Sequence, residues 1–327
     1  MAHRKLIWAV DVFETDSHMH RHALSVIRRL LEREPLITVE PVYILSPSQL
    51  KLSTEFSVPA VENYRPAAES LLQHITQEAK FKNSLPPKVL TETALPSVSF
   101  GAVAGLADYA EQTQAELIVV GSHGRHGMSR AFLGSFAESL LLLSKVPVLV
   151  AGNAVHRARE MDHIVYPTDF SSHSELLFRR VVDEALELNA RITLFHAVPS
   201  PIEPVFSTGV YLLGGAWLPV HSYFSREVLR AQNRAERWAR WARRSGLSID
   251  VIVHTQPSNI ADTIIELARR TNAGLIMMDA QSGPMRSVLI GSITRQVARH
   301  ADCPVWVMRS SILAEFKSAE RKQRRAA

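Results

Sequence analysis

At 327 residues, with 46% hydrophobic and 21% charged residues, the chain is long enough for two ordinary domains and has the balance of a protein with a substantial core, which excludes general disorder. A single cysteine, Cys303, excludes an intramolecular disulfide framework, and the apolar stretch after Lys5 breaks at Asp11, too early for a signal peptide or a membrane span, so a reducing, cytoplasmic location is the expectation. The net charge of +5 sits at the end: residues 317–327 hold five basic residues against Glu320, leaving residues 1–316 at +1, which describes a basic tail rather than a nucleic-acid-binding face.

The first apolar run, residues 5–11, has strand length and ends on Asp11. His18, His20 and His22 follow, with His18 and His22 at i and i+4. No third ligand stands at a known spacing, so they are read as solvated histidines at the start of a helix rather than as a metal site. From Ala23 to Arg33, apolar residues at Leu24, Ile27, Leu30 and Leu31 mark one buried helical face. Strands are then expected near residues 36–45, 87–93, 116–121 and 146–151, alternating with helical patterns at roughly 66–81, 98–114 and 135–144. Strands apolar on both faces, alternating with helices, require a parallel sheet covered on both sides, and right-handed crossovers leave few topologies.

The pattern then repeats. Leu6 to Asp11 matches Ile164 to Asp169 at an offset of 158, and Leu117 to Val120 matches Leu275 to Met278 at the same offset. Gly134-Ser135 matches Gly291-Ser292 at 157, so one residue is missing from the second copy between its apolar strand and its Gly-Ser pair. Residues 1–155 and 156–310 are therefore expected to be two doubly wound α/β domains, followed by a basic tail over 311–327. Two long loops, around 46–65 and 199–224, interrupt the pattern. The second is rich in apolar residues and is expected to fold over a pocket or onto the other domain. Trp238 and Trp241, among Arg234, Arg237, Arg240, Arg243 and Arg244, read as an amphipathic helix that buries Trp and Ala and leaves an Arg face in water.

The chemistry concentrates after Val120. Gly121-Ser122-His123-Gly124 stands at a strand's carboxyl end, where open α/β sheets bind ligands, and Gly134-Ser135-Phe136 opens the next helix. Glycines there let the backbone approach an anion, and the helix start offers free N–H groups and a positive dipole end. That combination is a phosphate cradle. In the second copy Asp279 stands where the first of these glycines belongs, bringing a carboxylate and a Cβ to the anion position.

The full spacing, Gly-x2-Gly-x9-Gly-Ser between an apolar strand and an apolar helix, resembles the nucleotide-binding motif of the universal stress protein family. The resemblance extends over both copies, from the opening strands ending in Asp11 and Asp169 to the closing strand introduced by Val146-Pro147-Val148. It implies a five-stranded parallel sheet in the order 3-2-1-4-5 in each copy. It also implies an ATP site in the first copy, with ATP alone or with Mg2+. Ala9, Val10 and Asp11 would line the adenine and ribose side, with Tyr43 near the base. Val120, Gly121, Ser122, His123 and Gly124 would hold ribose and phosphates, joined by Gly134, Ser135 and Phe136. Members commonly pair through the fifth strand, so the two copies are expected to pair with each other, with a homodimer and an unidentified protein partner as further possibilities. Glu14 departs from the family pattern near the first site, and the second site reads as degenerate.

Three classes stay open at this point. A nucleotide-binding regulatory protein is supported by the intact first motif. A slow ATPase lacks a Walker lysine and an evident base or metal-binding carboxylate pair, and an interaction or hydrophobic-ligand module would fit the altered second copy.

Overall fold

The computed structural model describes residues 4–13, 17–46, 62–92, 101–121, 134–152, 160–198, 217–280 and 291–309, with backbone only for 17–19 and 217–223. The first copy runs β1 (Lys5–Ala9), α1 (Ser17–Arg33), β2 (Thr38–Leu45), α2 (Arg65–Ala79), β3 (Lys88–Thr91), α3 (Gly101–Gln112), β4 (Leu117–Gly121), α4 (Ser135–Leu143) and β5 (Val148–Ala151). The second runs β6 (His163–Pro167), α5 (Ser172–Glu187), β7 (Arg191–Ala197), α6 (Trp217–Arg244), β8 (Ile249–His254), α7 (Ile260–Arg270), β9 (Leu275–Asp279), α8 (Ser292–His300) and β10 (Val305–Met308).

All ten strands form one sheet in the order β3-β2-β1-β4-β5-β10-β9-β6-β7-β8. Each half is the order 3-2-1-4-5, parallel throughout, as the crossover helices demand. The halves meet at one antiparallel seam, where Val305, Trp306 and Val307 pair with Val150, Leu149 and Val148. Alternation along the strands sends side chains into two cores. Leu6, Trp8 and Val119 join residues of α1, α2, α5 and α6 on one face, and Ile7, Ile118 and Val120 join α3, α4, α7 and α8 on the other. Both cores run across the seam.

Local signals account for the helix ends. Ser171 accepts the N–H of Ser174 at the start of α5, and Asn259 accepts those of Ala261 and Asp262 at the start of α7. The apolar loop expected over 199–224 ends earlier than the sequence suggested. Residues 217–224 already belong to α6, and Pro219 sits in its first turn, where a missing N–H costs nothing. The remainder of that loop, most of the loop at 46–65 and the basic tail lie outside the described residues.

The seam is reinforced from both copies. Arg309 donates to the carbonyl oxygens of Leu141, at 3.1 Å, and of Leu142, answering the negative end of α4. Gly152, at the equivalent position after β5, approaches the second copy so closely that a Cβ there would lie 2.7 Å from the Cys303 carbonyl oxygen. A second link is electrostatic. The guanidinium of Arg4 contacts Glu34 at 2.6 Å and Glu116 at 3.0 Å in its own copy, and Glu184 at 2.8 Å and Glu187 at 2.6 Å on α5. Arg180 adds a second cation, 2.6 Å from Glu184.

Candidate functional site

The first copy's candidate site lies at the carboxyl edge of β1 and β4, the point where strand order reverses. Trp8 pairs with Val119, so the register carries Ala9 alongside Val120 and Val10 alongside Gly121. Val10 is buried and its N–H bonds the Val42 carbonyl at 2.9 Å, fixing the height at which the chain leaves the sheet. Asp11 follows, half-exposed, and its Oδ1 accepts the Phe13 N–H at 3.2 Å, which turns the chain away and leaves the carboxylate at the sheet edge. Tyr43 is 2% exposed on the α1 and α2 side of the sheet, with its ring edge-on to Phe13 at 5.7 Å.

The other half of the site is the start of α4. Gly134 is its N-cap in an extended conformation (φ −58°, ψ 142°), its carbonyl accepts from Glu138, and among the described residues no side chain caps the turn. Ser135 is exposed and Phe136 half-buried. The starts of α5 and α7 carry side-chain caps, whereas among the described residues α4 and its equivalent α8, which starts after Gly291, carry none, the kind of helix start that suits an outside acceptor. Ser122, His123 and Gly124, with His126 and Glu14, lie outside the described residues.

The second copy arranges the same edge differently. Asp169 Oδ1 accepts from Ser171 N at 2.9 Å and from Ser174 Oγ at 2.5 Å, so that oxygen is committed to the start of α5. Phe170, at φ 57°, is buried with its ring 4.6 Å from that of His196 and 5.1 Å from Trp238. Asp279 closes β9 where Gly121 closes β4 and is 8% exposed. Thr294 Oγ1 donates to its carbonyl at 2.9 Å, tying α8 to the strand end. Burial first, and then the charges of Asp279 and Asp169, push the Tyr166 hydroxyl well above the usual tyrosine range. Burial likewise holds His196 below the usual histidine value.

Other candidates resolve into structure. The three histidines lie in the first turns of α1, as expected, but His20 and His22 are not simply solvated: His22 Nδ1 is 2.8 Å from the Gly152 carbonyl and the His20 ring stands edge-on to Trp8. The helix begins six residues before the apolar periodicity does. The side chain of His18 lies outside the described residues. Along α6, Ala231, Ala235, Ala239 and Ala242 are buried. Trp238 packs between Phe170 and Phe178, and Trp241 stays 38% exposed beneath Arg179. Among the described residues the one carboxylate group close enough to suggest a metal is Glu34, Glu184 and Glu187, and Arg4 already bonds all three.

Besides the Arg4 cluster, two features were not anticipated. Glu92 is buried beside the first turn of α3, where a Cβ on Gly101 would meet its Oε1 at 1.7 Å; burial raises its carboxyl above the usual range against a hydrogen bond from Ser46. The other is the contact of Glu138 on α4 with Arg295 and Arg299 on α8. Among the described residues no helix is long and apolar enough to cross a membrane.

The profile of the Universal stress protein family matches twice, over residues 3–152 and 160–309. A universal stress protein of Mycolicibacterium smegmatis is 28% identical over 200 residues, which are 60% of this chain and 62% of that protein. One of Mycobacterium tuberculosis is 29% identical over 233 residues, 69% of this chain and 70% of its own length. The chain thus spans less than two thirds of the first of these. A crystal structure of a universal stress protein from Archaeoglobus fulgidus superposes with a TM-score of 0.60, covering 93% of this chain and 96% of that one at 14% identity. PA1789 of Pseudomonas aeruginosa, described as functionally unknown, gives 0.62 over 98% of both chains, also at 14% identity. At that identity the likeness speaks for the fold alone.

Proposed function

Because the chain belongs to the universal stress protein family, with two copies in tandem, we propose that it is an adenine-nucleotide-binding regulatory protein that holds one ATP in its first copy. The observation that carries this reading is the difference between two equivalent strand ends. Both helix starts, at Gly134 and Gly291, lack a side-chain cap among the described residues, but β4 ends on Gly121 whereas β9 ends on the Asp279 carboxylate. A phosphate accepts hydrogen bonds from the first and is repelled by the second.

The residues fit the ligand in kind. Val10 and Asp11 would take the base and ribose, the carboxylate being a natural acceptor for a ribose hydroxyl. Ser122, His123 and Gly124 would meet the phosphates from the loop, and the backbone of Gly134, Ser135 and Phe136 from the helix. Tyr43 would support Phe13 beneath the base. Mg2+, where present, would offset phosphate charge. The proposed domain limits are 1–155 and 156–310.

Isothermal titration with ATP and Mg2+ tests the reading. A stoichiometry near one per chain is expected; near two, or no heat at millimolar ATP, refutes it.

A further inference from the structure

Glu138 lies in the first turn of α4, the helix whose start would carry the phosphate contacts. A carboxylate there suits the helix, because it answers the positive end of the dipole, and for the same reason it competes with a phosphate. Glu138 is held from the other copy. Arg299 Nη2 donates to its Oε2 at 2.6 Å, and Arg295 Nε stands 3.5 Å from its Oε1. Arg295 occupies the position in α8 that Glu138 occupies in α4, at the same offset of 157 that relates Gly291 to Gly134. Glu138 therefore meets its repeat equivalent, Arg295, and Arg299 one turn further along α8, and what would be a carboxylate facing its own copy in a symmetric pair is here an acid facing two bases.

The three side chains keep 27%, 42% and 31% of their surface, so the ion pairs add little to stability. Their effect is on local charge. Glu138 alone would set −1 beside the helix start, and the two guanidiniums turn that into +1.

We propose that Arg295 and Arg299 act across the domain boundary as positioning residues for the phosphate end of the first copy, neutralising Glu138 and fixing where its carboxylate points. The inference rests on the nucleotide reading above. It gives the altered second copy a part in the intact site: nucleotide affinity in the first copy depends on how α8 is seated against α4.

The test compares two ways of breaking the same ion pair, using the full chain and ATP by titration. Arg295→Ala with Arg299→Ala leaves the carboxylate unopposed and should weaken ATP binding about tenfold, whereas Glu138→Gln removes the carboxylate and should tighten it about threefold. Combining all three substitutions should return the affinity to within about twofold of wild type. The double arginine variant should also show a shallower dependence of affinity on salt. A merely structural contact predicts the opposite sign for Glu138→Gln, since either break would loosen the seam. Equal weakening by both, or a double arginine variant that binds like wild type, overturns the inference while leaving the nucleotide reading intact. Wild-type protein that binds no ATP overturns both. If the double arginine variant fails to fold, the sign of the Glu138→Gln effect decides alone.

Discussion

Replacing Glu34 by glutamine should flatten the pH dependence of stability, and the Arg4 cluster says by how much. Glu34 is pushed up from 4.5 to about 7, chiefly by burial, with Arg4 opposing and the charges of Glu184 and Glu187 adding to the rise. A carboxyl raised in the folded state contributes stability that is fully present below its unfolded value and is lost as the pH climbs through about 7. A rise from 4.5 to about 7, in which the attraction of Arg4 is already included, caps that contribution at about 3 kcal/mol, and solvent screening of this half-buried group brings the working figure to about 1 kcal/mol. Glu34→Gln keeps an acceptor oxygen for Arg4 and never carries the charge. At pH 8 the variant should therefore match or exceed wild type by about 1 kcal/mol, roughly 2 °C in Tm for a chain of this size, and at pH 5 the two should converge. Denaturant unfolding followed by circular dichroism from pH 5 to 8.5 measures both, and subtracting the curves cancels the histidines they share. A variant less stable than wild type at pH 8, or a difference that does not change with pH, would refute the reasoning.

Three further outcomes are expected. Gly152→Ala drives a Cβ to 2.7 Å from the Cys303 carbonyl oxygen and 2.9 Å from that of Asp302, both backbone atoms, and should cost about 2 kcal/mol in denaturant unfolding; a loss under about 0.5 kcal/mol would mean that the seam yields easily. Arg309→Met removes the bonds to the end of α4 and should cost about 1 kcal/mol by the same assay, with no change meaning that those carbonyls are served otherwise. Gly124→Asp should weaken ATP binding at least about tenfold in a folded protein, while Ser282→Asp in the second copy leaves it unchanged; unaltered affinity in Gly124→Asp would put the phosphates elsewhere.

Most of the fold was legible because its determinants are local and repeated. The offset of 158 identified the second copy, and the expected strands at 36–45 and 116–121 became β2 at Thr38–Leu45 and β4 at Leu117–Gly121. Long-range features left weaker traces. The apolar period marks α1 only from Ala23, and it gave no sign that His20 and His22, read as solvated, contact Trp8 and Gly152 from distant parts of the chain. The Arg4 cluster was invisible for a similar reason: its carboxylates lie 30 to 183 positions away, and nothing in the pattern marks a charged residue as buried. At the site, periodicity and glycine placement exposed the strand end and the helix start. The opposition of Glu138 and Arg295 was also present in the sequence, as opposite charges at one repeat position, and needed only the seam to say that those positions face each other.

The seam has a consequence for how the chain is made. β5, at Val148–Ala151, is paired on its outer side only by β10, at Val305–Met308, so its last partner is synthesised about 157 residues after it. At ribosomal rates of about 5 to 20 residues per second, the first copy waits about 8 to 30 s with an apolar edge open. Neighbouring nascent chains on one message carry the same edge during that interval, and β5 against β5 is the symmetric pairing that competes with the native one. In that arrangement Glu138 would face Glu138, with no arginine between them. The native pairing instead sets Arg295 and Arg299 against that carboxylate, so the two pairings differ in the sign of the charge that Glu138 meets.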